Sequence, residues 1–149
     1  MTSLTACVIT KNEETNLREC LESVRFCDEI IVVDSLSTDQ TVEIAREFTD
    51  QVIQRAWPGH IEQKNFAIDQ ATNSWVLCID ADERVSEPLR AEIQRIFASQ
   101  DISSSGFQVN RLNQYLGRWI RHGGWYPDRK IRLFRRDRGR WGGTNPHDR

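Results

Sequence analysis

No run of apolar residues in this sequence approaches the ~20 that a membrane-spanning helix needs. The opening segment, Met1 to Thr10, has no basic stretch ahead of an apolar one, so a secretory leader is not signalled. The expected compartment is the cytoplasm. None of the 4 cysteines, Cys7, Cys20, Cys27 and Cys78, falls in CxxC spacing. That excludes a zinc knuckle or redox pair and leaves small, reduced, mostly buried side chains. No GxGxxG follows the first apolar run and no GxxxxGK[ST] occurs, which removes the dinucleotide fingerprint and the P-loop. Repeats and low-complexity tracts are absent as well.

What is present is an uneven charge distribution. Residues 1–110 hold 9 Lys/Arg and 19 Asp/Glu, whereas residues 111–149 hold 11 and 3. The basic segment also carries Trp119, Trp125, Tyr126 and Trp141, a composition suited either to an anionic partner such as a phosphorylated acceptor or lipid surface, or to a solvated arginine-rich face. Nucleic acid is not expected as a partner, because the segment is short and adjoins a strongly acidic half.

Over the first ~80 residues short apolar runs alternate with helical periodicity, the pattern of βα units and a mostly parallel sheet. Strands are predicted at Leu4–Thr10, Glu29–Asp34, Gln51–Gln54 and Trp75–Ile79. The helix after the first strand carries Leu17, Cys20, Leu21 and Val24 at i, i+3, i+4, i+7, with Thr15 or Asn16 as its cap. Another carries Val42 and Ala45, a third runs from about His60 to Ala71 with Ile61, Ile68 and Ala71 inward, and a fourth opens at Pro88 with Leu89, Ile93, Ile96 and Phe97 on its apolar face. Beyond Gly106 the pattern changes to alternation, with Phe107, Val109 and Arg111 in one run and Ile131, Leu133 and Phe134 in another. These predict an antiparallel extension, separated by a Gly-, Trp- and Arg-rich loop at 117–128.

In open α/β sheets, ligands bind outside the carboxyl ends of strands. Polar residues fall there at Thr10-Lys11-Asn12-Glu13, Asp34-Ser35 and Asp80-Ala81-Asp82. Two carboxylates in one turn are often only a solvated strand exit. Here Glu83 follows at once, and three crowded acids repel one another unless a divalent cation intervenes. Carboxylates suit Mg²⁺ or Mn²⁺ held together with a diphosphate.

Val8-Ile9-Thr10-Lys11-Asn12-Glu13-Glu14, Ile31-Val32-Val33-Asp34-Ser35-Leu36-Ser37-Thr38-Asp39 and Trp75-Val76-Leu77-Cys78-Ile79-Asp80-Ala81-Asp82-Glu83, in this order and spacing, resemble family-two glycosyltransferases of the GT-A fold. The later Gly123-Gly124-Trp125-Tyr126-Pro127-Asp128 and Arg132-Leu133-Phe134-Arg135-Arg136 resemble the subgroup that adds glucose or related sugars to the lipopolysaccharide core. The resemblance implies a three-layer α/β/α domain with a mostly parallel mixed sheet, in which 1–105 binds the nucleotide sugar and 106–149 begins the acceptor side. It also implies a metal-dependent, inverting transfer of a hexose from a UDP-linked donor to a saccharide or lipid-linked acceptor, with peripheral association at the cytoplasmic membrane face as an accompanying expectation.

By the same resemblance, Thr10, Glu13 and Asp34 hold base and ribose, Lys64 and Asn65 lie near the donor, Asp80 faces ribose or sugar, Asp82 coordinates the metal, and Glu83 supports the site without ligating. The family often has a second acid or Gly where this chain has Ser35 and Leu36. For Lys64 an exposed helix lysine is the equal alternative. Asp148 is the expected base, with Asp128 in reserve, and His147 either assists metal or acceptor or is a surface histidine. Because related enzymes continue beyond this point, the chain is expected to be a C-terminally truncated piece, and a donor-binding module without turnover is the rival reading. An aspartyl-phosphate hydrolase also uses a DxD at a strand end, but that resemblance implies the first strand, and here the motif is on the fourth.

Overall fold

The computed structural model describes residues 2–99, 102–111, 113–115, 118–120, 128–144 and 147–148, with side chains described up to residue 109 and over 131–142. The elements are β1 (Leu4–Thr10), α1 (Leu17–Ser23), β2 (Glu29–Asp34), α2 (Thr41–Arg46), β3 (Val52–Gln54), α3 (His60–Gln70), β4 (Trp75–Asp80), α4 (Glu87–Ala98), β5 (Gly106–Arg111), β6 (Asn113–Tyr115), β7 (Arg118–Ile120), β8 (Asp128–Arg135), β9 (Gly143–Thr144) and β10 (His147–Asp148).

β1, β2 and β4 are buried along almost their whole length, as strands covered on both faces must be, and their runs of branched aliphatics supply that burial. The six-stranded sheet has the order β3-β2-β1-β4-β8-β5. β3, β2, β1 and β4 are mutually parallel, while β8 runs antiparallel to both β4 and β5. Strand parity then divides the core. Leu4, Ala6, Val8, Ile30, Val32, Trp75, Leu77 and Ile79 pack with Leu17, Cys20 and Leu21 of α1, Ala45 of α2, and Ile93 and Phe97 of α4. Cys7, Ile9, Ile31, Val33, Val76 and Cys78 pack with Ala67 and Ile68 of α3 on the other face. The result is a three-layer α/β/α arrangement, as expected.

α4 begins at Ser86, whose hydroxyl accepts from the Leu89 N–H at 3.3 Å with Pro88 in the first turn. Ile93 and Phe97 are buried, with Leu89 and Ile96 packed against the same core. α3 departs from expectation: Gln63 and Lys64 are buried alongside Ala67 and Ile68, while Ile61 is half-exposed. Hydrophobic periodicity misses this because the buried stripe includes two polar side chains. β8 departs likewise, with Ile131 exposed and Arg132 buried. Within the loop expected at 117–128, residues 118–120 form β7, paired antiparallel with β6, while 117 and 121–127 lie outside the described residues. No helix among the described residues is long and apolar enough to cross a membrane.

Candidate active site

From β1 the chain steps to β2 and β3 on one side, whereas β4 pairs on the other. The order therefore reverses between β1 and β4, and the crevice outside their carboxyl ends is where the topology places a ligand. Thr10 is in register with Asp34, and Ile9 with Asp80. Three of the sequence-predicted positions are thus brought to one sheet edge by strand pairing alone.

The loops leaving β1 and β2 are laced together. The Asn12 N–H donates to the Ser37 hydroxyl at 2.7 Å, the Thr38 N–H donates to the Asn12 side-chain oxygen at 2.8 Å, and the Glu13 N–H donates to the Thr41 hydroxyl at 2.9 Å. Asn12 adopts φ 49° and Leu36 φ 57°. Asn tolerates the left-handed region, but leucine does so at a cost. Leu36 is also 54% exposed. Asp34 is wholly buried, and its carboxylate accepts both the N–H and the hydroxyl of Ser37. The Glu13 carboxylate accepts from the Asn16 amide at 3.0 Å.

β4 ends differently. The Asp80 N–H donates to a Glu83 carboxylate oxygen at 2.9 Å, and the Glu83 N–H donates back to the Asp80 carbonyl at 2.9 Å, closing a tight turn. Asp80 Oδ1 is buried without a hydrogen-bond partner among the described residues, as is Thr10 Oγ1. Asp82 is exposed. Glu83 forms an ion pair with Arg132 at 2.8 Å, both side chains being largely buried. Burial acts to lower the Arg132 pKa, but Glu83 and Asp80 outweigh it and hold the guanidinium above its ordinary value. The expectation of three mutually repelling acids is therefore corrected: Arg132 offsets Glu83. Among the described residues no group of three or more His, Cys, Asp or Glu side chains is placed to hold a metal.

A small cleft beside Asp80 is lined by Cys7, Ile9, Lys64, Ala67, Cys78 and Ile79. Lys64 is only 7% exposed, which removes the surface-lysine alternative, and its ammonium lies 4.2 Å from the centre of the Trp141 ring. Asn65 is committed elsewhere: its amide donates to the Trp141 carbonyl at 3.0 Å and accepts from the Trp141 N–H at 2.8 Å. It fixes Trp141 over Lys64. The hydrogen bond with Cys78 and burial push the Cys7 thiol well up, burial does the same for Cys20, and burial takes Cys27 to about 12. Such thiols are packing groups rather than nucleophiles.

Asp148 and His147 form β10, paired with β9, and Asp128 begins β8 opposite Arg111. The side chains of all three lie outside the described residues. Sequence reasoning missed Arg132, Trp141 and Gln63 as parts of this edge. For Arg132 the signal was a lone arginine inside the run Ile131-Arg132-Leu133-Phe134.

Comparison with known proteins decides the family. The model of glycosyl transferase family 2 matches residues 5–148. The chain belongs to glycosyl transferase family 2. An "uncharacterized glycosyltransferase" of Rickettsia typhi is 40% identical over 136 residues, covering 90% of this chain and 43% of that protein. The lipopolysaccharide core biosynthesis glycosyltransferase LpsC of Rhizobium meliloti is 35% identical over 148 residues, covering 93% of this chain and 53% of its own length. This family-2 chain thus spans about half the length of these relatives. Among solved structures, Staphylococcus aureus TarS 1-349 superposes with a TM-score of 0.59 at 21% identity, over 91% of this chain and 47% of that one. Glucosyl-3-phosphoglycerate synthase of Mycobacterium tuberculosis, crystallised with Mg²⁺ and UDP, superposes with a TM-score of 0.54 at 22% identity, over 66% and 41%. These likenesses establish the GT-A fold.

Proposed function

We propose that this chain is the donor-binding part of a metal-dependent, inverting hexosyltransferase that uses a UDP-linked sugar. The observation that carries this reading is the β4 terminus. Asp80 keeps a buried carboxylate oxygen without a partner among the described residues, Asp82 is exposed two residues on, and the buried Lys64 lines the same cleft. An orphaned buried acceptor is costly unless something fills it.

A hard divalent ion and a diphosphate fit that donor set. Asp82, with Asp80 beside it, would hold Mg²⁺ or Mn²⁺ through carboxylate oxygens, the donor phosphates supplying further oxygens. Bound there, the cation would neutralise charge on the leaving diphosphate. Lys64 adds a point charge at the cleft wall. Thr10, Glu13 and Asp34 shape the base and ribose side through their laced loops, and Asn65 acts on the Asp80 side through Trp141. The bound UDP-GlcNAc of TarS and UDP with Mg²⁺ of the mycobacterial synthase support this choice of ligand.

Transfer then requires a base. Asp148, with Asp128 as the alternative, removes the proton of an acceptor hydroxyl as its oxygen attacks the anomeric carbon. The bond from that carbon to the diphosphate breaks on the opposite face, the electron pair leaving with the phosphate oxygen, which inverts the configuration. The likeness to LpsC supports a saccharide or lipid-linked acceptor in lipopolysaccharide-core synthesis, and the basic 111–149 segment supports peripheral membrane association on the cytoplasmic side.

The test is a thermal-shift series with UDP, UDP-glucose and UDP-GlcNAc, each with Mn²⁺ and with EDTA. A ligand present at ~100 times its Kd stabilises the native state by about 2.7 kcal/mol. Stabilisation that needs both UDP and Mn²⁺ is expected. No shift with any of the three would refute donor binding, and donor hydrolysis measured in parallel separates binding from turnover.

A further inference from the structure

We propose that Arg132 is a positioning residue that acts through Glu83 to hold the Asp80–Asp82 turn in its ligand-ready shape. The inference rests on the metal and diphosphate reading of that turn. Arg132 comes from β8, 49 residues beyond Glu83, and reaches the β4 terminus because β8 runs antiparallel to β4. It is 8% exposed, and one guanidinium nitrogen donates to Glu83 Oε1 at 2.8 Å and to the Cys78 carbonyl at 3.4 Å. That same Glu83 oxygen accepts the Asp80 N–H. A single carboxylate oxygen therefore joins β8 to the main chain of the acid turn.

The consequence is chemical as well as geometric. A glutamate next to Asp80 and Asp82 with no counter-charge would be repelled into solvent or would compete for the cation. Arg132 anchors it instead, so Glu83 spends its acceptor on the Asp80 main chain. Both Asp80 side-chain oxygens are thereby spared the task of closing the turn. The planar guanidinium suits this better than an ammonium would. Its carbon lies 5.9 Å from the centre of the Trp141 ring, and Trp141 is itself clamped by Asn65. The brace thus has its own wall.

The experiment compares the whole 149-residue chain with Arg132→Met, Arg132→Lys and Glu83→Gln. Amide hydrogen exchange is recorded without ligand, and UDP binding by calorimetry with Mn²⁺ and with EDTA. In Arg132→Met the Asp80 and Glu83 amides should exchange about tenfold faster while those of β1 and α3 keep their protection. UDP affinity in Mn²⁺ should fall by about tenfold or more. Arg132→Lys should recover part of both effects, and Glu83→Gln, which retains an acceptor for the Asp80 N–H, should lie between wild type and Arg132→Met. Uniformly faster exchange throughout the sheet would overturn the proposal by making Arg132 a general stability element. Wild-type affinity in Arg132→Met would overturn it too. Should Arg132→Met not fold, Arg132→Lys carries the comparison, and wild-type exchange and affinity there alongside a weakened Glu83→Gln would still contradict the brace. If the wild-type chain itself shows no Mn²⁺-dependent UDP binding, the proposed function fails first, and the ligand-ready role falls with it whatever the exchange data show.

Discussion

Asp34 and Asp80 end neighbouring parallel strands on either side of β1, yet their surroundings make them different groups. Asp34 is wholly buried, and its carboxylate is consumed by the backbone and hydroxyl of Ser37. Asp80 has its turn closed by Glu83 and retains an oxygen with no partner among the described residues. One acid is spent on shaping a loop, while the other is left available because a third residue, braced by Arg132, does the shaping. A strand-terminal acid therefore reveals its use by which of its acceptors the protein has already filled.

The comparison breaks most visibly at Asp82, the exposed partner of Asp80. Asp82→Ala should weaken Mn²⁺-dependent UDP binding by about 100-fold or more while leaving unfolding free energy within about 0.5 kcal/mol, since its side chain is in solvent. Calorimetry paired with urea unfolding checks both halves, and unchanged affinity in Mn²⁺ would remove the metal assignment.

Asp34→Ala should show the reverse emphasis. The half-buried Ser37 N–H and hydroxyl lose their charged acceptor, so stability should fall by about 1.5–3 kcal/mol. Asp80→Asn should leave stability nearly unchanged and cost affinity. Equal losses of stability in the two variants, read from urea midpoints at constant m, would erase the distinction drawn here.

Asn65→Ala probes the wall on the Asp80 side. Two hydrogen bonds to the Trp141 main chain disappear, and a loss of about 1–2 kcal/mol is expected. A UDP affinity reduced alongside would follow from displacement of Trp141 from Lys64. The smallest effect belongs to the Asp34 side. Leu36→Gly relieves a left-handed leucine but loosens the unfolded chain, so a net gain of a few tenths to about 1 kcal/mol is expected in thermal unfolding. A loss there would mean that the Leu36 side chain contributes packing despite its exposure.

Much of this was legible in the sequence. The four parallel strands, the apolar face of α4 and the antiparallel return of β8 follow from runs of branched aliphatics, 3.6-residue spacing and alternation. The edge positions Thr10, Asp34 and Asp80 followed from motif order. What was not legible arises from partners distant in sequence. Lys64 reads equally as a donor-side or a surface lysine until α3 is laid on β1 and buries it. Asn65 carries no local sign that its amide pairs with the Trp141 main chain. Glu83 reads as a supporting acid crowded by its neighbours, with no sign of its counter-charge until β8 brings Arg132. Strand pairing makes such contacts, and local periodicity carries no record of them.

The central claim is one of place: a cation and a diphosphate share the crevice between the ends of β1 and β4. Adding Mn²⁺ and UDP to ¹⁵N-labelled chain should broaden the backbone amides of residues 80–83 and 10–13 first, because a paramagnetic ion acts on its nearest neighbours. Broadening centred on any other part of the sheet, or none above that given by Mn²⁺ without UDP, would contradict the account.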